Sequence, residues 1–145
     1  MKTRQRQPAL AAMYTGLALT VIAALIPYAT TGLLADHIRA GYPAYSDSRV
    51  DSAVTTYLAL LSAIGGLGSL AWLWSIRAVK SAGRWARPAA TAMFVVGATV
   101  ALTALLTKDT SGDTGLPMAL GWAGTAPSLA GGLAVALLWK PSPRQ

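Results

Sequence analysis

The sequence has 145 residues, of which 54% are hydrophobic and only 12% are charged, far from the composition of an average soluble domain. Its net charge is +7, but Lys and Arg lie in the gaps between apolar stretches and not together on a polar face, which argues against a nucleic-acid partner. The chain contains no cysteine, so disulfides, thiolate nucleophiles and Cys-ligated metals are excluded.

Four stretches carry no charged side chain: 8–35, 52–76, 88–107 and 114–139. Each has about 20 residues or more, the length that an α-helix needs to cross about 30 Å of hydrocarbon. A single segment in lipid must satisfy its own backbone hydrogen bonds, which favours helix. The sequence therefore predicts an all-α membrane protein of one domain, with four transmembrane helices at about 9–34, 53–76, 88–107 and 116–139 and short tails at 1–7 and 141–145.

The placement of basic residues predicts the orientation of these helices. Nine of the 12 Lys and Arg residues lie in the two tails and in the link between the second and third spans, where no Asp or Glu occurs. The other two links contain the remaining three bases and all five acids. The positive-inside rule then places both termini in the cytoplasm and predicts an up-down-up-down bundle in the plasma membrane. We expect the basic links to contact anionic lipid headgroups at the cytoplasmic face of the bilayer.

Aromatic residues favour the same topology. Tryptophan prefers the membrane interface, and four tryptophans fall near predicted cytoplasmic ends: Trp72, Trp74, Trp85 and Trp139.

Local signals predict where the helices begin and end. Gly41 and Pro43 indicate that the first helix, or a broken continuation of it, extends to about Ala40. Ser48 and Asp51 resemble a capping box that starts the second helix near Arg49.

Two further helix boundaries follow from similar signals. Gly83 is a candidate stop for the second helix. Pro117 is expected in the first turn of the fourth helix, with Asp113 or Thr114 as the cap.

Two prolines lie inside predicted spans, Pro27 in the first and Pro127 in the fourth. Each removes a backbone hydrogen bond and crowds the preceding turn, so both predict kinks. The pattern leaves open whether these kinks are functional hinges or details of packing.

Small residues recur every four positions in three spans, which lets helix backbones approach closely in lipid. The candidates for helix packing are Gly16, Gly66, Gly124, Ser128 and Gly132. Packing within the bundle is the favoured interpretation, and contacts between copies of the chain or with a membrane-protein partner are the alternative.

The only histidine, His37, lies beside Asp36 and two residues before Arg39, in a cluster at the outer end of the first span. One His with one Asp falls short of a metal site. No Asp, Glu, Lys, Arg or His lies within the core of a span, and no motif for acyl transfer, metal or nucleotide chemistry occurs in a fitting context. The sequence therefore predicts no catalytic, cofactor or metal site.

The segment GRWARP at 83–88 follows the tryptophan-rich AWLWSIRAVK and precedes the apolar stretch 89–97. In these features, and loosely over its whole length, the chain resembles small four-helix membrane proteins of unknown function from actinobacteria. This resemblance implies a four-helix membrane fold and transfers no functional residues.

Three hypotheses of function remain. The first is a non-enzymatic accessory or interaction subunit that acts through helix packing. The second is a homo-oligomeric pore or facilitator for a neutral or hydrophobic solute, with Pro27 and Pro127 lining a cavity. The third is a membrane enzyme acting on lipid, for which Asp36, His37 and Arg39 are the available cluster.

Overall fold

The structure is a computed structural model that describes residues 3–141, with the side chains of residues 6–141. The described chain contains five helices: α1 (Thr3–Ala29), α2 (Thr31–Gly41), α3 (Asp47–Lys80), α4 (Ala86–Leu106) and α5 (Met118–Trp139). An isolated β-bridge joins Lys108 and Thr114 in the loop before α5. The first two residues of the predicted N-terminal tail and 142–145 of the C-terminal tail lie outside the described residues.

Four of these helices, all but α2, are long and apolar enough to cross a membrane. The longest, α3, has 34 residues and is therefore about 51 Å long, well beyond the ~30 Å of hydrocarbon that a span must cross. Many large apolar side chains point outward, as in Leu129, which is 77% exposed. An apolar outer surface of this kind suits a multi-pass membrane protein whose helices contact lipid.

The four long helices form a ring. Helix α1 packs most extensively against α5 and next against α3, while α4 packs against α5 and, least extensively of the four neighbouring pairs, against α3. Helix α1 therefore lies opposite α4, and α3 lies opposite α5. The short α2 packs mainly against α3.

The first predicted span, 9–34, is broken in the structure. Thr30 leaves the helical conformation (φ −126°, ψ 35°) and separates α1 from α2. The Thr30 hydroxyl donates to the carbonyl of Ile26 at 2.9 Å, and the break lies three residues after Pro27. Helix α2 buries Leu34 and Ile38 on one face and exposes Asp36 on the other, so it is amphipathic and not a continuation of the span.

Helix α3 begins two residues earlier than the sequence predicted. Ser46, and not Ser48, is the N-cap, because its backbone is extended (φ −69°, ψ 159°) while Asp47 is already helical. The Ser46 hydroxyl accepts a hydrogen bond from the Arg49 amide at 3.4 Å. Ser48 lies inside the helix, with its hydroxyl 3.2 Å from that of Ser46.

The turn between α3 and α4 also differs from the prediction. Helix α3 ends at Lys80, and Ala82, not Gly83, has a positive φ, of 55°.

At the other predicted boundary, the start of α5, the residue before the helix is Pro117 itself, with φ −51° and ψ 136°. Thr114 does not cap α5, since its hydroxyl donates to the carbonyl of Leu116 at 2.8 Å.

One end of the ring, which we call the basic end, contains the start of α1, the end of α3, the start of α4 and the end of α5. A buried cluster joins these four segments: Ala9, Ala12, Met13, Ile76, Val79, Ala86, Ala90, Ala134 and Leu138. Arg6 donates to the carbonyl of Lys80 at 3.1 Å, and the guanidinium of Arg87 lies 5.7 Å from the ring centre of Trp139. The basic side chains of the α3–α4 link therefore collect at this end.

The opposite end, which we call the acidic end, is formed by α2, the start of α3 and the loop 107–117. Within this loop the amide of Asp109 donates to the carbonyl of Asp113 at 2.9 Å. Gly112 has a φ of +89°, a left-handed conformation that glycine adopts without a steric penalty. The loop therefore folds back on itself as a compact turn beside α2.

Candidate ligand cavity

A cavity of about 390 Å³ lies inside the ring and is lined by all four long helices. This volume falls in the range of about 300–1,000 Å³ that is typical of ligand pockets. It is also more than twice the ~150 Å³ engineered cavity that binds benzene in another protein. The ring is thus wide enough at its centre to hold a small organic molecule.

Both prolines of the predicted kinks line this cavity. Pro27 is buried in α1, and Pro127 is half-buried in α5. The sequence predicted them as separate kinks in the first and last spans, and the structure places both on the wall of one cavity. Proline removes a helical hydrogen bond and crowds the preceding turn, which weakens regular packing at these two positions.

Trp72 forms the wall of the cavity toward the basic end. Its indole packs on Gly16, where an added Cβ would collide with the six-membered ring, and it donates from Nε1 to the hydroxyl of Thr20 at 2.9 Å. The Thr20 hydroxyl in turn donates to the carbonyl of Gly16 at 2.9 Å. Trp72 therefore lies inside the ring, contrary to the prediction that it faces the membrane interface.

Other glycines hold α1 against α3 beside the cavity. A Cβ on Gly65 would lie 2.5 Å from the Cβ of Ala24, and one on Gly68 would lie 3.2 Å from Thr20. Side chains larger than hydrogen at these positions would push the two helices apart. The residues of this contact also line the cavity, so the close approach of α1 and α3 forms one side of its wall.

The seam between α3 and α4 is the loosest side of the ring. Leu67 of α3 and Val96 and Val100 of α4 line the cavity and are also exposed, at 69%, 55% and 42% respectively. Because these three side chains line the cavity and also lie on the outer surface, the cavity opens between α3 and α4. The cavity is therefore accessible sideways, from the position that lipid would occupy.

The cavity wall is apolar and carries no charged side chain among the described residues. Its hydroxyl groups belong to Thr20, Ser75 and Ser128. Ser75 is only 3% exposed, and its Oγ makes no hydrogen bond to any part of the chain that the structure describes. Such a wall favours a neutral ligand, because a buried charge without a partner is very costly.

The five residues predicted for helix packing fall into different environments. Gly16 is buried against Trp72, a Cβ added to Gly132 would lie 3.5 Å from Phe94, and Ser128 lines the cavity. Gly66 and Gly124 are exposed, and an added Cβ would meet nothing within 4 Å. Gly124 borders the cavity, whereas Gly66 does not.

At the acidic end, the cluster of Asp36, His37 and Arg39 belongs to a wider polar network. Arg39 lies 3.5 Å from Asp36 and 3.5 Å from Asp47, so it pairs with α2 and α3. The Nε2 of His37 donates to the carbonyl of Thr114 at 2.6 Å, which joins α2 to the loop before α5. These contacts attach α2 to the start of α3 and to the loop before α5.

Asp109 organises the loop that His37 contacts. Its Oδ1 accepts hydrogen bonds from the amide of Ser111 at 2.8 Å and from the Ser111 hydroxyl. The pKa of Asp109 is lowered chiefly by the hydrogen bond from the Ser111 hydroxyl; partial burial opposes this effect, and the Ser111 amide and the charge of His37 lower the pKa further. Across the described residues, no group of three or more His, Cys, Asp or Glu is placed to hold a metal ion.

The sequence did not point to Ser75, Met93 or Phe94 as parts of a site. All three line the cavity, but a serine, a methionine and a phenylalanine in apolar helices are indistinguishable from lipid-facing or packing residues. The α4 spacing of Met93, Gly97 and Ala101 is a four-residue repeat that could have marked the inner face of this helix.

No family model, curated protein or solved structure matches the chain. The class of protein therefore follows from the fold alone. Four helices that are long and apolar enough to cross a membrane make the chain compatible with a small multi-pass membrane protein.

Proposed function

We propose that this protein is a non-enzymatic, membrane-embedded binding protein or facilitator, which takes a neutral, predominantly apolar molecule from the bilayer into its central cavity. The observation that carries the proposal is the charge-free cavity of about 390 Å³ that opens between α3 and α4. Pro27 and Pro127 line this cavity. Since one chain supplies all of the wall, the proposed site needs no oligomer.

We further propose that the four spans form an up-down-up-down bundle in the plasma membrane, with both termini cytoplasmic. The collection of Arg77, Lys80, Arg84 and Arg87 near the basic end supports this orientation, because cytoplasmic links carry an excess of Lys and Arg. These side chains would then contact anionic lipid headgroups. Reporter tags at the two termini should both read as cytoplasmic, and reporters on opposite faces would contradict this topology.

The binding site can be tested by photolabelling in lipid nanodiscs with a compact, uncharged aryl diazirine. A molecule inside the ring should label the cavity residues Met93 and Phe94, whereas a molecule in the surrounding lipid should label outward residues such as Leu129 and Leu133. We expect labelling of the cavity residues in the wild-type protein. Labelling of the outward residues alone would refute the proposal.

Two glycine substitutions give a matched pair for this experiment. Gly124→Leu adds a side chain at the cavity wall, and Gly66→Leu adds the same side chain on the outer surface; at both positions an added Cβ meets nothing within 4 Å. We expect Gly124→Leu to reduce labelling of Met93 and Phe94 several-fold, because it occupies cavity volume. Gly66→Leu should leave the labelling of Met93 and Phe94 unchanged. Equal labelling in both variants would count against the cavity as the binding site.

An accessory or interaction subunit is the second candidate. Its support is Gly66, an exposed glycine on α3 with open space beside it, where a partner helix could approach closely. In this case Gly66→Leu should weaken association with a partner chain in the membrane, as measured by crosslinking, while Gly124→Leu should not. A chain that stays monomeric and without a partner in mild detergent would contradict this candidate.

A further inference from the structure

Ser75 is an unusual member of the cavity wall. It is 3% exposed, and its Oγ has no hydrogen-bond partner among the described residues. Ser69 on the same helix shows the ordinary arrangement, in which the hydroxyl donates to the carbonyl four residues earlier, here Gly65 at 2.8 Å. A buried hydroxyl without a partner is destabilising, so its presence at a cavity wall points to a ligand that supplies the missing partner.

The cavity extends along much of the length of the ring. On α3 its lining runs from Leu61 to Ser75, a distance of about 21 Å at the rise of an α-helix. A volume of about 390 Å³ spread over this length fits an extended chain better than a compact ring system. Ser75 lies at the end of the cavity nearer the basic end, and Pro27 and Leu116 lie toward the acidic end.

We propose that the ligand is a long hydrocarbon chain with one uncharged oxygen group, which exchanges a hydrogen bond with the Ser75 hydroxyl while the chain extends toward Pro27 and Leu116. This inference rests on the proposed function and specifies its ligand. A fatty-acid carboxylate is disfavoured, because no basic side chain lines the described cavity to pair with it. The oxygen group is a hydroxyl in a free long-chain alcohol or an ester carbonyl in an uncharged lipid ester.

The chain enters through the seam between α3 and α4. Leu67, Val96 and Val100 line the cavity and face outward at the same time, so a chain lying in the surrounding lipid can slide in sideways without crossing a polar region. The polar end then stops at Ser75, where the buried cluster of the basic end closes the ring.

Orientation in the wild-type protein provides the first test. Two forms of a long-chain alcohol, one with a diazirine next to the hydroxyl and one with a diazirine at the far end of the chain, are photolysed with the protein in nanodiscs. We expect the first to label residues beside Ser75, such as Ala71 and Ala90, and the second to label Leu116 and Leu120. The reverse pattern, or the same residues for both forms, would overturn the inference.

A pair of serine substitutions provides the second test. We expect Ser75→Ala to weaken photolabelling by the long-chain alcohol by about tenfold, which is the effect of losing one hydrogen bond, while the stability of the ligand-free protein is unchanged or higher. Ser69→Ala should leave labelling unchanged, since Ser69 bonds within its own helix and does not line the cavity. Unchanged labelling in Ser75→Ala would overturn the role of Ser75.

A parallel arm of the experiment distinguishes the two possible sources of the chain, a free alcohol and a lipid ester. The methyl ester of a long-chain fatty acid, with a diazirine in its chain, replaces the alcohol in the nanodiscs, and sensitivity to Ser75→Ala in this arm alone would identify a lipid ester. Sensitivity in the alcohol arm alone would identify a free alcohol. If labelling in neither arm changes in Ser75→Ala, but labelling by the compact aryl diazirine still falls in Gly124→Leu, this inference fails and the proposed function stands. If the compact probe also misses the cavity, the proposed function fails as well.

Discussion

The indole Nε1 of Trp72 donates to the hydroxyl of Thr20 at 2.9 Å and thereby ties α3 to α1 at the wall of the cavity. The same indole packs on the bare backbone of Gly16, one turn earlier on α1. A side chain of this size needs both a partner for its N–H and a glycine beneath its ring in order to lie within the bundle. This contact fixes how α1 and α3 face each other, and with that the shape of the cavity.

Gly16→Ala should destabilise the protein by about 1–3 kcal/mol, because the new methyl group would collide with the Trp72 ring and force the helices apart. Gly66→Ala is the control, since its methyl group meets open space and should leave stability unchanged or raise it by up to about 1 kcal/mol. The measurement is the free energy of unfolding in mixed micelles with increasing denaturing detergent. Equal effects of the two substitutions would contradict the packing of Trp72 on Gly16.

Thr20→Val keeps the shape of the side chain but removes the oxygen that accepts from Trp72, so the indole N–H loses its partner. We expect a loss of about 0.6 kcal/mol and at most about 1.7 kcal/mol, the range of single hydrogen bonds between membrane helices. Thr15→Val removes a hydroxyl that bonds only to its own helix, at Ala11, and should cost less. A larger loss in Thr15→Val, in the same unfolding assay, would argue against the interhelical bond.

Ala82→Gly should stabilise the link between α3 and α4. Ala82 has a φ of 55°, a left-handed conformation that costs an L-residue roughly 1–2 kcal/mol, and glycine avoids this cost at some loss of chain entropy in unfolding. We expect a net gain of up to about 1 kcal/mol. Gly83→Ala should be nearly neutral, because Gly83 has no positive φ and a Cβ there would lie 3.9 Å from the Ser81 hydroxyl. Destabilisation by Ala82→Gly would contradict the turn geometry.

Asp109 should make the loop 107–117 sensitive to acid. Its folded pKa lies below the ordinary value of about 3.9, so the stabilisation it provides is complete above that value and is lost as pH falls through the folded pKa. Hydrogen exchange of the Ser111 amide, corrected for intrinsic rates, should therefore accelerate below about pH 4. Asp109→Asn should abolish this acid dependence and Asp113→Asn should preserve it. Acid dependence that persists in Asp109→Asn would assign the effect to another group.

Hydropathy was sufficient to predict the four helices that are long and apolar enough to cross a membrane, because a stretch of about 20 uncharged residues is rare in other kinds of helix. The break at Thr30 could not be placed from sequence, since a proline such as Pro27 indicates a kink without fixing where the backbone leaves the helix. The N-cap of α3 was missed by two residues because Ser46 and Ser48 are equally suited to cap a helix, and only the backbone conformation distinguishes them.

The cavity was beyond prediction for a related reason. Adjacent residues on a helix point in directions about 100° apart, so Gly65 and Gly66 lie in different environments although both fit a small-residue pattern. Gly65 packs against Ala24 and Gly66 faces outward, and only the rotation of α3 about its axis decides between them. The same rotation buries Ser75 and turns Trp72 into the ring, so a site made by four helices depends on four rotations that hydropathy does not specify.

Quenching of Trp72 fluorescence tests the central claim, that a chain from the bilayer enters the cavity. A variant retaining Trp72 as its sole tryptophan is made by changing the other four to phenylalanine: Trp74, Trp85, Trp122 and Trp139. It is reconstituted in vesicles whose lipids carry bromine in the middle of the acyl chain. A second variant retains Trp74, which is 54% exposed on the outer surface at nearly the same depth, as the control.

We predict that brominated chains quench Trp72 and that Gly124→Leu, which fills the cavity wall, relieves this quenching several-fold. Quenching of Trp74 should be strong with or without Gly124→Leu, because Trp74 lies on the outer surface of the ring. If Trp72 is not quenched at all, or if its quenching is the same in Gly124→Leu, no lipid chain occupies the cavity and the entry of a bilayer chain between α3 and α4 is contradicted.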